Sequence, residues 1–92
     1  MSEKEDLETL RKAIRAIDTD LAALFERRMA LVKEVALVKL SENRPIYDAQ
    51  REEKNIEELS ALIKAAANKP YFIRWYKMLM DVSKESEKDV SL

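Results

Sequence analysis

The 92-residue sequence contains no cysteine and no histidine. Without cysteine the chain has no disulfide framework, no thiolate metal site and no cysteine nucleophile. A zinc site or a serine hydrolase relay would also be hard to build, because both normally rely on the imidazole group of histidine. We therefore expect no metal ion, and any chemistry must run on arginine, lysine, carboxylate and hydroxyl groups.

Glycine is absent as well, and proline occurs only twice. The remaining composition is rich in Ala, Leu, Glu, Lys and Arg, all of which favour helix. A chain of this length is enough for one small domain. We predict a single all-α domain that spans residues 1–92.

The chain also lacks an excess of charge of one sign and a long apolar run. Its 17 basic and 18 acidic residues give a formal net charge of −1, which argues against a general surface for nucleic acid or anionic membrane. No apolar stretch approaches the length needed to span a bilayer, and the N-terminus shows no basic segment followed by an apolar run. We expect no nucleic-acid partner, no membrane partner and a cytoplasmic location.

The two prolines divide the apolar periodicity into three helices. We predict helices at about 6–41, 48–67 and 70–88. The Asp48 carboxylate can cap the second helix, and Pro70 is well placed as the first residue of the third. The aromatic residues and methionines of the third helix are expected to fill the core.

The first helix is too long for a compact monomer of this size. About 36 residues at 1.5 Å per residue extend about 54 Å, whereas a compact monomer of this length has a radius of gyration of about 12 Å. The leucine-rich stripe of the helix therefore needs a partner. The simplest partner is a second copy of the chain, so we expect a two-fold, intertwined helical homodimer.

A cation interrupts the apolar stripe of the first helix. The stripe runs through Leu10, Ile14, Ile17, Leu21, Leu24, Leu31, Val35 and Val38. Arg28 occupies a position at which this spacing calls for an apolar residue, and an unpaired charge in an apolar setting costs several kcal/mol. Polar residues also end the stripes of the other two helices: Asp48, Arg51, Glu52, Ser83 and Glu87.

Arg28 and Lys39 point to one side of the first helix. They are eleven residues apart, which is three turns with about 20° of drift and about 16 Å along the axis. Their long side chains can close on a small anion from two ends. With the polar residues of the other helices they predict a pocket of cations, carboxylates and one hydroxyl, suited to a small polyanion that carries a hydroxyl group.

Arg11 adjoins the stripe but lies 17 residues before Arg28. That is about 25 Å along the helix, so the two cannot share one small ligand within a chain. In an antiparallel dimer, Arg11 of one chain can sit opposite the midpoint between Arg28 and Lys39 of the other. The two-fold axis then crosses the first helix near Ala22 and Ala23, which are small enough for close approach.

Most of these polar residues also have a simpler interpretation, and Arg51 with Glu52 on a helix is ordinarily a solvated face. Arg28 alone is more often a snorkelling or salt-bridged helix residue. Ser83 and Glu87 lie in a charged segment typical of an exposed, fraying helix end, and a lysine beside a loop, like Lys39, is typical of the surface. We favour one common pocket over these separate interpretations because polar residues interrupt or end the apolar stripes of all three helices.

At these residues the sequence resembles the all-helical class of chorismate mutases. The match covers roughly residues 7–88 and consists of Leu10-Arg11, Ile17-Asp18, Arg28, Lys39, the segment Arg44-Pro45-Ile46-Tyr47-Asp48-Ala49-Gln50-Arg51-Glu52, and Ser83. The Pro-x-x-Asp-x-x-Arg-Glu element with the upstream Arg and Lys is its most specific part. The connection between the second and third helices has one residue fewer than is common in the family, which places Ser83 and Glu87 in register.

The resemblance implies an intertwined, all-helical homodimer that converts chorismate to prephenate in the biosynthesis of phenylalanine and tyrosine, with no cofactor. Arg11 would be contributed across the dimer interface. Together with Arg28 and Arg51 it would hold the two carboxylates of chorismate, with Ser83 assisting.

The other site residues would face the ring hydroxyl and the breaking bond. By the same resemblance, Glu52 and the backbone at Asp48 would take the hydroxyl, while Lys39 and Glu87 would donate to the ether oxygen. A Claisen rearrangement is concerted and unimolecular, so it needs no nucleophile, metal or proton shuttle. An enzyme accelerates it by holding the substrate in its reactive folded shape and by placing positive charge at the ether oxygen.

Glu87 departs from the family pattern, in which Gln is common at this position. A glutamine donates at any pH, whereas Glu87 donates only when protonated. We therefore expect activity to fall as pH rises, and Glu87→Gln to flatten the profile.

Three alternatives stay open. A relative of the same fold that eliminates pyruvate from isochorismate would use the same cations. A noncatalytic helical dimerisation or regulatory module would use Arg28 and Glu52 as a buried ion pair. A designed or laboratory-recombined member of the family is also compatible with the composition.

Overall fold

The computed structural model describes residues 3–91, with side chains from Asp6 to Ser91. Its elements are α1 (Glu3–Ser41), α2 (Ala49–Ser60), a 3-10 turn (Ala66–Asn68) and α3 (Lys69–Lys88). Residues 3–91 include no β-strand, so the all-α class with one very long helix is confirmed. Within the same range no helix is both long and apolar enough to cross a membrane. The ends of the predicted domain, residues 1, 2 and 92, lie outside the described residues.

The chain forms two compact units, Met1–Leu31 and Val32–Leu92, and the division falls within α1. In the first unit, the described residues 3–31 all belong to α1. Its apolar stripe is between 43% and 60% exposed and consists of Leu7, Leu10, Ile14, Ile17, Leu21 and Leu24. A single chain therefore leaves an apolar surface of this helix in contact with water.

The second unit contains the end of α1 together with α2 and α3, and one face of α3 belongs to its core. Tyr76, Met80, Ser83 and Glu87 are all buried. They follow one another at steps of four, three and four residues, which keeps them on one face of a helix. The interpretation of Ser83 and Glu87 as an exposed, fraying helix end is therefore wrong.

A second apolar face of α3 is exposed, so the prediction that all aromatic residues and methionines of this helix fill the core is wrong. Tyr71, Trp75 and Met78 are 64%, 50% and 66% exposed. Phe72 instead stacks on buried Tyr76, with ring centroids 5.7 Å apart. Apolar residues occupy two adjoining faces of α3, so periodicity alone did not separate the face that packs within the chain from the face that does not.

The connection from α1 to α2 begins with a helix-terminating turn at Asn43. Asn43 has a φ of 55°, a left-handed conformation that asparagine adopts more readily than most residues. The amide of Arg44 donates to the carbonyl of Lys39 at 2.8 Å, and the amide of Asn43 donates to the carbonyl of Leu40 at 3.3 Å. This is the hydrogen-bond pair of a Schellman motif, and it turns the chain away from the axis of α1.

Asp48 caps α2, as the sequence predicts. Its backbone is extended, with φ −131° and ψ 94°, and its carboxylate Oδ1 accepts a hydrogen bond from the amide of Arg51 at 3.1 Å. The cap satisfies one of the amides that a helix start leaves without an internal partner. It also fixes where the first turn of α2 begins.

The second helix ends at Ser60, so the predicted end at residue 67 is wrong. The amides of Leu62 and Ile63 donate to carbonyls three residues earlier, at 3.0 and 3.1 Å. The hydroxyl of Ser60 donates to the carbonyl of Glu57 at 3.3 Å. These bonds tighten the last turn and replace the four-residue pattern of an α-helix, although the alanines that follow favour helix by propensity.

Candidate functional site

Lys39, in the last turn of α1, reaches two acceptors elsewhere in the second unit. Its ammonium Nζ donates to the carbonyl oxygen of Ile46 at 2.7 Å and to Oε1 of Glu87 at 3.3 Å. The side chain of Lys39 is 20% exposed and that of Glu87 is 7% exposed. A cation and a carboxylate that the sequence assigns to one site therefore meet in a place with little access to water.

The burial of Glu87 determines how much this ion pair contributes to the stability of the fold. Exposed pairs contribute about 0 to 1 kcal/mol, because water screens both charges. Removing one partner of a buried pair costs about 3 to 5 kcal/mol, because the remaining charge is left uncompensated. The ammonium of Lys39 therefore supplies the charge that compensates the buried Glu87 carboxylate.

A second charged cluster joins α2 to α3 through Lys84. The ammonium Nζ of Lys84 lies 3.0 Å from Oε2 of Glu52 and 3.3 Å from Oδ1 of Asp81. It also lies 4.6 Å from the centroid of the Tyr47 ring, within the range of a cation–π interaction. The hydrogen bond with the Glu52 carboxylate raises the pKa of Lys84 above its ordinary value, so the ammonium is charged at neutral pH.

Two further predicted site residues of the second unit are Arg51, at the start of α2, and Ser83, on the buried face of α3. Arg51 is exposed in the first turn of α2, next to half-buried Glu52. The amide of Glu52 donates to the carbonyl of Asp48 at 3.1 Å. Ser83 is buried on α3, where its hydroxyl donates to the carbonyl of Leu79 at 2.8 Å.

Arg11 and Arg28 belong to the first unit, on α1. Arg11 is exposed and Arg28 is half-buried. Their contribution to a site with the residues of the second unit stays a prediction.

Two open grooves of the second unit lie beside Lys84. One, of about 560 Å³, is lined by Ile46, Tyr47, Asp81, Lys84, Glu85 and Lys88. The other, of about 350 Å³, includes Glu52 and Ile56 and again Tyr47, Asp81 and Lys84. Both volumes fall in the range of small-molecule sites. Between residues 3 and 91 no group of three or more His, Cys, Asp or Glu side chains is placed to hold a metal ion.

Lys84 is not among the site residues that the sequence predicts. It lies in the charged segment typical of a fraying helix end, and it follows Ser83 directly, so it is one position off the buried stripe. The signal that could have found it is the helical spacing of Asp81, Lys84 and Lys88, which places a charged row next to the face that carries Glu87. Nothing in the sequence pairs that row with Glu52, because the two helices meet only in the folded chain.

Comparison with known proteins connects this arrangement to a family. Residues 10–88 match the family described as chorismate mutase type II. The chain is 33% identical over 89 residues to a bifunctional chorismate mutase/prephenate dehydratase of Buchnera aphidicola subsp. Schizaphis graminum, which covers 96% of the chain and 23% of that relative. Proteins with the same description from Enterobacter agglomerans and Escherichia coli K12 are 36% and 34% identical over 84 residues, covering 90% of the chain and 22% of each relative. No solved structure matches significantly.

The chain therefore spans less than a quarter of the length of these curated relatives. The family match begins in the N-terminal portion of α1 and runs to the last turn of α3. It includes both charged clusters, those of Lys39 and of Lys84. With its residues 10–88 matched, the chain belongs to the chorismate mutase type II family.

Proposed function

We propose that this chain is a chorismate mutase, which converts chorismate to prephenate by a Claisen rearrangement on the way to phenylalanine and tyrosine. The observation that carries the proposal is the contact of Lys39 with buried Glu87 at 3.3 Å, in a chain of the chorismate mutase type II family. The cytoplasmic location expected from the sequence is part of the same proposal.

Lys39 and Glu87 act on the ether oxygen of the breaking bond. As this bond lengthens the oxygen becomes electron-rich, and a fixed ammonium stabilises that charge more in the transition state than in the substrate. Losing one such preorganised donor costs on the order of 3 to 4 kcal/mol in activation free energy. Lys39 is suited to this role because its contacts with Ile46 and Glu87 hold the ammonium in place before a ligand arrives.

The remaining cations bind the two carboxylates of chorismate. Arg28 and Arg51 act from within the chain and Ser83 assists, while Arg11 is supplied by a second copy. Guanidinium groups suit this task because they form paired hydrogen bonds with carboxylates. Holding both carboxylates keeps the extended substrate in its reactive folded shape, which lowers the entropic part of the barrier.

Glu52 and the backbone at Asp48 recognise the ring hydroxyl. The carboxylate of Glu52 accepts a hydrogen bond from the hydroxyl, and it stands at the start of α2 because the Asp48 cap begins the helix there. This arrangement favours chorismate over dicarboxylates without a hydroxyl, since only a ligand with the hydroxyl gains this hydrogen bond to a charged group.

The functional form is an intertwined homodimer. The exposed apolar stripe of the first unit supports a dimer, since its six residues on α1 remain between 43% and 60% exposed in one chain. The exposed apolar face of α3, with Tyr71, Trp75 and Met78, supports it as well. Covering both surfaces with a second copy removes apolar area from water, at about 25 cal/mol per Å².

The test is to incubate the purified chain with chorismate and to follow the loss of the ultraviolet absorbance of the substrate. The product is then identified by its acid conversion to phenylpyruvate. A parallel incubation with isochorismate, assayed for released pyruvate, separates the mutase from the lyase of the same fold. Turnover of chorismate to prephenate supports the proposal, whereas pyruvate release from isochorismate alone, or no turnover of either substrate, refutes it.

A further inference from the structure

The ammonium of Lys84 is held by three groups from three parts of the second unit. Both carboxylate oxygens of Glu52 are within 3.3 Å of Nζ, with Oε2 at 3.0 Å. Asp81, one turn earlier on α3, contributes an oxygen at 3.3 Å, and the Tyr47 ring covers the ammonium at 4.6 Å. An ammonium with this many contacts is restricted in position.

The ion pair of Lys84 with Glu52 is much less exposed to water than its ion pair with Asp81. The Asp81 side chain is 71% exposed, so water screens that pair and it contributes little. The side chains of Lys84 and Glu52 are only 22% and 23% exposed, and the two residues lie 32 positions apart on different helices. The orientation of the Glu52 carboxylate therefore depends on a residue of α3 and not only on α2.

We propose that Lys84 is a positioning residue that holds the Glu52 carboxylate in the orientation in which it accepts the ring hydroxyl of the substrate. The inference rests on the proposed function, in which Glu52 binds that hydroxyl. A carboxylate has about four lone-pair sites, so Glu52 can accept from Lys84 and from a ligand hydroxyl together. Lys84 restricts the rotation of the carboxylate and leaves a lone pair directed to the ligand.

The proposal predicts a defect confined to recognition of the hydroxyl. Lys84→Met keeps a flexible side chain of similar length and removes the ammonium, so the Glu52 carboxylate loses its restraint. We expect KM for chorismate to rise about tenfold, since hydrogen bonds to charged groups have effects of that order, and kcat to change less than twofold. A rise in KM with unchanged kcat is the signature of lost ground-state binding. Lys84→Arg, which restores a cation opposite Glu52, should return KM to within about twofold of the wild type.

The decisive comparison uses a chorismate analogue that lacks the ring hydroxyl, measured as a competitive inhibitor. Its inhibition constant should be the same in the wild type and in Lys84→Met, because Glu52 has no hydroxyl to bind. A merely structural role for Lys84 would weaken chorismate and analogue alike. Lys54→Met is the matched control: it removes the same charge from an exposed pair with Glu58, 3.9 Å apart on α2, and should change neither constant.

The outcomes separate this inference from the proposed function. If the wild-type chain does not convert chorismate, the proposed function fails and this inference fails with it. If the wild type is active and Lys84→Met leaves KM for chorismate unchanged, or raises KM and the analogue constant equally, the positioning role alone is refuted. Circular dichroism checks folding, and if Lys84→Met does not fold, Lys84→Gln is measured in its place against the same outcomes.

Discussion

The ammonium nitrogen of Lys39 lies 3.3 Å from Oε1 of Glu87, which joins the end of α1 to the buried face of α3. An ammonium has three N–H donors, and the contacts with Glu87 and Ile46 use two of them. Lys39 can therefore keep both contacts while its third donor serves a ligand. The Lys39–Glu87 pair can therefore be tested from both sides, by replacing the lysine and by replacing the glutamate.

Replacing Lys39 by alanine should nearly abolish turnover. Loss of the ammonium removes a preorganised donor at the ether oxygen, which we expect to lower kcat by about 100-fold to 1000-fold. Steady-state kinetics with chorismate measures the loss. Circular dichroism and sedimentation select conditions in which the variant is folded and dimeric, because Lys39→Ala also leaves buried Glu87 without its partner and should lower stability. Lys33→Ala, an exposed lysine of the same helix, serves as control and should retain full activity. A Lys39→Ala chain with near wild-type kcat would refute the assigned role.

Replacing Glu87 by glutamine should flatten the dependence of activity on pH. The ion pair with Lys39 describes the form of Glu87 that cannot donate to the ether oxygen. The role assigned to Glu87 requires the protonated form, so it predicts that wild-type activity falls as pH rises, whereas an amide donates at every pH. The measurement is kcat/KM from about pH 5 to about pH 8 for both chains. A wild-type profile that is level over this range would show that Glu87 is not the donor.

Replacing Arg28 by alanine separates the enzyme from a noncatalytic helical module. In the enzyme, the change removes a carboxylate-binding cation, so turnover should be almost lost while the dimer stays folded. In a module held by a structural ion pair, the main effect would be a less stable dimer. Kinetics and thermal unfolding of Arg28→Ala and of Arg27→Ala, its exposed neighbour, decide between the two. Wild-type turnover in Arg28→Ala would contradict its place in the site.

Replacing Asp48 by alanine should destabilise the chain by about 1 kcal/mol, within the range of about 0.5 to 2 kcal/mol known for helix caps. The reason is the loss of the 3.1 Å hydrogen bond between its carboxylate and the amide of Arg51. Urea unfolding at fixed protein concentration measures the change. Asp48→Asn retains a capping oxygen and should lose only a few tenths of a kcal/mol. Equal destabilisation by both substitutions would show that capping is not what Asp48 contributes.

Replacing Ala22 by tryptophan should disrupt the proposed dimer. The two-fold axis is predicted to cross α1 near this residue, where a large side chain would keep two helices apart. Sedimentation velocity should show a shift toward monomer. An unchanged sedimentation profile for Ala22→Trp would count against this crossing point.

Much of the fold could be predicted from the sequence because its causes are local. A composition without glycine favours helix, the turn at Asn43 ends α1 and the Asp48 cap begins α2, and each of these depends on residues within one or two turns. The end of α2 at Ser60 was not predicted, because helix propensity continues through the alanines that follow. The exposure of Tyr71 and Trp75 was not predicted either, because an apolar face looks the same in sequence whether its partner is the same chain or another.

The class of fold and the polar residues that interrupt or end apolar stripes follow from the order of the amino acids alone, because helical periodicity shows which residues share a face of one helix. Which of these residues meet depends on the folded chain. Lys39 contacts Glu87 across 48 positions and Lys84 contacts Glu52 across 32, and such contacts depend on how helices pack against one another. Helix packing arises from the burial of many side chains at once, so the partner of a single charge cannot be inferred from its neighbours in the chain.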